Sequence, residues 1–360
     1  MLSSGLALLI LAAAAEDVPV AISGPFTGPL AALGEQLKHG AEQFITDQNE
    51  AGGVDGYHLV LEEGDEQCDP RQAVAVANRF VTRHVAVIIG PACSGAAIPV
   101  SDVLDEAGIL MISPSATAPE LTDRHHANVF RTIGRDDSKG GFAGAFIAAH
   151  YPDQPIAIAQ DKSAYGKGLA DQVKISLEKS GGTVALYEGV NAGEKDFSAL
   201  VTKLKGAGIG VLYYGGYHPE AALIARQARD QGLALQLIGG DSLNTLEFPA
   251  IAGASGDGTL FTFAPDAAAL PEAKAVAARL RAQGFEPEGY ALYTYAAFEV
   301  WAEAAHRAQS LKLRDLLGAL HGSSFDTVIG PLRFDAKGDL ADPRVAMYRW
   351  HDGKAEELLP

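Results

Sequence analysis

From residue 18 to about residue 240, short apolar runs alternate with longer segments of helical period. Runs over 18–22 and 58–62 read as strands, and those over 85–89 and 110–113 suit strands buried on both faces. Between them, helices are expected over 34–49, stopped by Gly52-Gly53, and over 69–82, where Asp69-Pro70 supplies a cap and then a first-turn proline. The rhythm resumes after about Arg135, with strands over 156–160, 183–187, 211–214 and 236–238 and helices over 166–179, 198–206 and 219–232. Such a chain can bury its strands only in parallel sheets with right-handed crossovers and helices on both faces. Two such series imply an α/β protein of two lobes with a cleft between them. The tail reads differently: helices over 273–283, 292–308 and 311–320, then late strands over 328–334 and 345–350. No Pro/Ser-rich linker separates the halves, as befits a hinge of several crossing segments.

With 360 residues, 48% of them hydrophobic, the chain can build a large core and two domains. Residues 1–15 are apolar and small, ending in Ala13-Ala14-Ala15 before Glu16-Asp17, the pattern of an export signal with its cleavage site. The run is too short and alanine-rich for a transmembrane helix. The 28 Lys+Arg against 45 Asp+Glu give a net charge of −17, which disfavours nucleic acid and anionic membranes as partners. Cys68 lies in Asp65-Glu66-Gln67-Cys68-Asp69-Pro70 and Cys93 in Gly90-Pro91-Ala92-Cys93-Ser94-Gly95. Two cysteines behind an export signal are most simply one disulfide, since oxidising compartments retain such bonds.

Open α/β sheets bind ligands at the carboxyl ends of their strands. The loops at those ends carry Ala92, Cys93 and Ser94; Ser113-Pro114-Ser115-Ala116-Thr117-Ala118-Pro119; Asp161-Lys162-Ser163-Ala164-Tyr165-Gly166; Gly215-Gly216-Tyr217-His218-Pro219; and Gly239-Gly240-Asp241-Ser242. Hydroxyls and free N–H groups at helix starts suit an anion. Asp241, with no base beside it in the sequence, suits an ammonium. The two poles together describe the head of a zwitterionic α-amino acid.

Four stretches carry a specific likeness: Asp69-Pro70-Arg71-Gln72-Ala73-Val74-Ala75-Val76-Ala77-Asn78, Ser115-Ala116-Thr117-Ala118-Pro119-Glu120-Leu121, Ala192-Gly193-Glu194-Lys195-Asp196-Phe197-Ser198 and Tyr213-Tyr214-Gly215-Gly216-Tyr217-His218-Pro219-Glu220. In order, they resemble the leucine/isoleucine/valine-binding proteins of bacterial ABC transporters. The resemblance implies a type I periplasmic-binding-protein fold: an export signal over 1–15, a first lobe over 16–135 plus 265–344, and a second over 136–264 plus 345–360, joined by a three-segment hinge. It implies a Cys68–Cys93 bond, a carboxylate grip on Ser94 and Thr117, and an ammonium grip on the Ser115 carbonyl, Thr117 and Asp241. Tyr165 and Tyr217 would form an aromatic lid, with Leu33, Ala92, Cys93, Ala116 and Tyr290 completing the pocket. Leu33 stands where the family usually has tyrosine, Ala92 where leucine, Tyr290 where phenylalanine and Asp241 where glutamate is usual. A methylene in a pocket decides only about 1–3 kcal/mol, so the ligand can drift within the family. Leucine, isoleucine or valine is the first expectation, with alanine, serine, threonine, proline or γ-aminobutyrate as competitors. The protein is expected to be a periplasmic monomer without cofactor or metal, handing its ligand to a membrane permease.

Two other classes fit less well. An enzyme would need a base for Ser94, which lacks a Gly-x-Ser-x-Gly frame and a histidine placed for it. His125 and His126 beside Asp123 form no metal spacing, and Gly206-Ala207-Gly208-Ile209-Gly210 precedes a strand where a dinucleotide loop would follow one. Glu62, Glu63, Asp65 and Glu66 read as a solvated acidic loop. A free-standing sensor, using the same fold to signal to a membrane partner, stays open.

Overall fold

A computed structural model describes residues 16–358; the expected export signal lies outside them. The first sheet forms from β1 (Asp17–Gly24), β2 (His58–Asp65), β3 (Val87–Ile89), β4 (Leu110–Ser113) and β5 (Val129–Arg131), in the order β2-β1-β3-β4-β5, all parallel. Its connections are α1 (Ala31–Glu50), α2 (Pro70–Thr82), α3 (Ser94–Ala107) and the short α4 (Glu120–Asp123). Asp69 caps α2 as its sequence requires, its carboxylate accepting from the Arg71 and Gln72 amides at 2.9 Å.

The chain then crosses to a second unit. There α5 (Asp136–His150) precedes β6 (Ile156–Gln160), α6 (Ala164–Lys179), β7 (Val184–Gly189), α7 (Ser198–Gly206), β8 (Val211–Gly215), α8 (His218–Asp230), β9 (Gln236–Gly239), α9 (Glu247–Ala252) and β10 (Leu260–Phe263). It returns to lay α10 (Lys274–Ala282) and α11 (Ala291–Ala308) on the first unit, where α11 packs along α1 and against β3 and β4. Helix α12 (Leu313–Gly322) and the hairpin of β11 (Phe325–Thr327) and β12 (Gly330–Leu332) follow. A last crossing adds β13 (Ala346–His351) and β14 (Lys354–Leu358) to the second sheet, of order β14-β13-β10-β9-β8-β6-β7. Only the β10–β13 and β13–β14 pairings of that sheet are antiparallel. The result is two α/β lobes joined by three chain crossings. Among the described residues no helix is long and apolar enough to cross a membrane.

The alternation in the sequence places most of these elements, and the exceptions have physical causes. Helix α3 carries Pro99 within it, and α5 carries Gly140, Gly141 and Gly144, so neither shows the expected signature. The α5 glycines are there for packing: a Cβ on Gly140 would lie 2.6 Å from Gln172 Cβ, and one on Gly144 2.6 Å from the Val173 carbonyl oxygen. The strand expected over 328–334 is instead one arm of the β11–β12 hairpin, with Phe334 reaching only an isolated bridge to Leu340. The acidic run is not a solvated loop. Glu62, Glu63 and Asp65 sit on β2, and Glu66 beyond it is wholly buried, accepting from the Cys68 amide at 2.5 Å. Burial, against the lowering pull of that hydrogen bond, pushes its carboxyl up to about 8.

Two cations are buried with the core aromatics. Arg131, at the first crossing, donates to Asp339 at 2.8 Å and to the carbonyls of Ala116 and Ala118 at 3.1 and 2.8 Å. Arg135 joins it on Asp339 at 2.8 Å and reaches Asp123 at 3.0 Å. The Arg131 guanidinium thus ties Asp339, which lies ahead of the last crossing, to the loop that carries Thr117. The other buried cation, Lys139, belongs to the site.

Candidate ligand-binding cleft

The strand-end loops of both lobes converge on one small cavity. From the first lobe, Cys93 precedes α3 and Ser94 opens it; the Ala96 amide already donates to the Cys93 carbonyl, so the amides of Ser94 and Gly95 are the ones without an intrahelical acceptor. The Cys68–Cys93 disulfide forms, with Cα atoms 5.5 Å apart, and anchors this turn to the end of β2. Ser94 Oγ accepts from the amides of Thr117 and Ala118, both at 3.2 Å. The Ser94 proton is therefore left to donate elsewhere. The 113–118 loop is held from both sides: Ser115 Oγ donates to the Ala92 carbonyl at 3.0 Å, the Ala116 amide donates to Ser113 Oγ at 2.9 Å, and Arg131 takes the Ala116 and Ala118 carbonyls. Thr117 is wholly buried and its hydroxyl has no partner.

The second lobe supplies Tyr165 from the first turn of α6 and Tyr217 from the start of α8, with ring centroids 5.1 Å apart. Asp241, wholly buried just after β9, accepts from the Tyr165 hydroxyl at 2.8 Å. Ser242 donates to the Gly216 carbonyl at 2.8 Å and its amide to the Tyr165 oxygen at 3.4 Å. Burial, and then the charge of Asp241, push the phenols of Tyr165 and Tyr290 well above the usual tyrosine range, so both remain proton donors.

Asp241 does have a base beside it. Lys139, one turn into α5 and as buried as the aspartate, places Nζ 2.5 Å from Asp241 Oδ2. The sequence hides this partner because it comes from a glycine-rich helix 102 residues away. Conversely, Lys162 does not pair with the adjacent Asp161; it reaches Asn191 at 2.8 Å while Asp161 accepts from Ser163. His126 pairs with Asp102 and Asp105 on the surface of α3, separate from its neighbour His125.

Leu33, Ala92, Ser94, Ser115, Tyr165, Tyr217, Ser242 and Tyr290 line the cavity. Ala116, Thr117, Cys93 and Asp241 lie buried around it. The residues expected from the sequence are therefore brought together, and Ser242, Lys139 and Asp136 are added to them. The added charged pair carried no readable signal, since Lys and Asp are rarely fully buried unless paired. The cavity holds about 10 Å³, roughly the space of one water. The lobes are thus closed on each other, and any organic ligand needs them to part. Two larger hollows, of about 540 Å³ beside Phe44 and Glu299 and about 640 Å³ beside Phe263 and Tyr348, are charge-lined open grooves that include none of Ser94, Ser115, Tyr165 or Tyr217.

Two α/β lobes, three crossings and a polar-ended cleft at the strand carboxyl ends define a two-lobed solute-binding protein of the type I architecture. The family profile described as periplasmic binding protein matches residues 17–355, and the chain belongs to that family. The Leu/Ile/Val-binding protein homolog 1 of Brucella melitensis is 46% identical over 357 residues, covering 98% of this chain and 96% of that one. The leucine-, isoleucine-, valine-, threonine- and alanine-binding protein of Pseudomonas aeruginosa is 42% identical over 339 residues, covering 94% and 91%. Among solved structures, the branched-chain amino acid transporter substrate binding protein LivJ of Streptococcus pneumoniae, in complex with isoleucine, superposes with a TM-score of 0.87 at 29% identity, covering 96% of this chain and all of that one. The leucine binding protein LivK of Thermotoga maritima gives 0.88 at 25%, covering 95% and 98%.

Proposed function

We propose that the chain is the extracytoplasmic solute-binding component of an ABC importer, taking a neutral aliphatic amino acid between its lobes and presenting the closed form to a membrane permease. The observation that carries this is the polarity of the cleft: Ser94 and the start of α3 at one end, Asp241 with Tyr165 at the other, and Leu33, Ala92 and Tyr290 as wall. The carboxylate docks on the Ser94 hydroxyl and α3 amides of the first lobe. The ammonium then meets Thr117 and the Ser115 carbonyl, and closure brings Asp241 and the two tyrosines over it. Closure is a population shift, favoured by contacts made only when the lobes are shut. The lobes divide as 16–135 plus 265–344 and 136–264 plus 345–360, a reading supported by sheet membership.

Leucine, isoleucine and valine are the first ligands to try, as the relatives' names support. The walls favour a second, smaller set as well. Tyr290, buried in the cavity wall with Leu33 and Ala92, takes room from the ligand, which suits alanine, serine, threonine, proline or γ-aminobutyrate. A thermal-shift screen of these compounds and the remaining amino acids on ligand-stripped protein tests both. A ligand at 100 times its Kd adds about 2.7 kcal/mol, and no shift with any of them refutes the reading.

A further inference from the structure

Asp136 is the first residue of α5 and wholly buried; neither carboxylate oxygen has a close hydrogen-bond partner, and the hydroxyl of Thr117, equally unpartnered, faces the carboxylate. Its amide donates to the Thr117 carbonyl at 2.9 Å, which sets it beside the loop of the first lobe. A buried carboxylate without donors is costly unless it is neutral or meets a cation. The charged and titratable groups around it are Lys139 on its own helix, Asp241 after β9, Arg131 on β5, and the phenols of Tyr165, Tyr213, Tyr217 and Tyr290. Arg131 is committed to Asp339 and to two loop carbonyls. Lys139 is committed to Asp241 at 2.5 Å. When both aspartates are ionised, the pocket therefore holds one negative charge more than its own cations answer, next to Thr117.

We propose that Asp136 is a second acidic group of the ammonium site, protonated in the unliganded protein and releasing that proton to solvent when the α-ammonium of an amino acid arrives. The inference rests on the reading of this cleft as an amino-acid site. In the exchange, the neutral carboxyl loses its proton to water and the ligand's –NH₃⁺ takes the proton's place as counter-charge; Lys139 keeps Asp241 ionised throughout. Burial first, and the neighbouring Asp241 charge second, raise Asp136 to about 7, with Lys139 pulling the other way. An ammonium beside it lowers that value. Below about 7, binding must therefore expel a proton, and affinity rises with pH by up to about tenfold per unit before levelling off above it.

The test is titration calorimetry of L-leucine and L-alanine into the ligand-stripped protein from pH 5 to 8, in buffers of different ionisation enthalpy. The expected result is close to one proton released per ligand near pH 6 and a Kd that falls about tenfold between pH 5.5 and 6.5. Asp136→Asn should bind without proton release and with a Kd flat across that range. Lys139→Gln leaves two carboxylates sharing no cation, so its rise in affinity should move to higher pH; it serves where Asp136→Asn does not fold. Wild-type binding without proton release, a slope surviving in Asp136→Asn, or an unmoved midpoint in Lys139→Gln overturns the inference while leaving the amino-acid reading intact. Failure to bind any amino acid at any pH removes both.

Discussion

Replacing Asp241 by alanine strips its hydrogen-bonded carboxylate from Lys139, a lysine buried in the lobe. Both partners are essentially unexposed and 2.5 Å apart. Removing one member of such a pair leaves an uncompensated buried charge, which costs about 3–5 kcal/mol. Asp136 lies close enough to Lys139 to answer part of that charge, so the loss should fall near the lower figure, about 3 kcal/mol. For a lobe of this size each kcal/mol moves Tm by about 2–4 °C, so unliganded Asp241→Ala should melt roughly 6–12 °C below wild type by scanning calorimetry. The double variant Asp241→Ala/Lys139→Met removes both charges and should recover most of that loss, because a buried pair exchanged for apolar groups is nearly neutral. Its ligand affinity should not recover, since the ammonium contact is still missing. A single variant that melts within about a degree of wild type, or a double variant that binds as tightly as wild type, would refute the argument.

Other expectations follow from the same structure. Reducing Cys68–Cys93, or replacing both cysteines by serine, frees a 25-residue separation and should lower stability by roughly 3 kcal/mol, read as a lower denaturation midpoint in urea. Glu299 is largely buried and raised to about 7, burial outweighing the Val328 amide it accepts from. Its folded value lies above its unfolded one, so stability declines as pH rises from about 4.5 through 7; Glu299→Gln should therefore stabilise the protein by up to about 3 kcal/mol at pH 8 and hardly at all at pH 4, measured as Tm at both. Gly144→Ala places a methyl 2.6 Å from Val173 O and Ser176 Cβ, so α5 must move off α6 at a cost of about 1–3 kcal/mol, seen in the urea midpoint.

What the sequence determined by itself was periodicity and chemistry at strand ends. The runs at 156–160 and 198–206 fall on β6 and α7 to the residue, because apolar alternation and helix stops are local properties. The disulfide followed from having only two cysteines behind an export pattern. Ser94, Ser115, Tyr165 and Tyr217 could be found because an open α/β sheet puts strand-end loops together whatever else the chain does.

Tertiary structure alone decided the rest. Strand β14, with the polar sequence Lys-Ala-Glu-Glu-Leu, exists because β13 offers it an edge. Helix α5 could be glycine-rich because α6 lies too close for side chains, and that same close approach delivers Asp136 and Lys139 to Asp241. A local window shows Asp136, Ser138 and Lys139 as an ordinary polar helix start. Only the packing of α5 against α6, beside Asp241 of its own lobe and the Thr117 loop of the other, takes Asp136 and Lys139 out of water, and desolvation turns routine surface charges into the poles of a site.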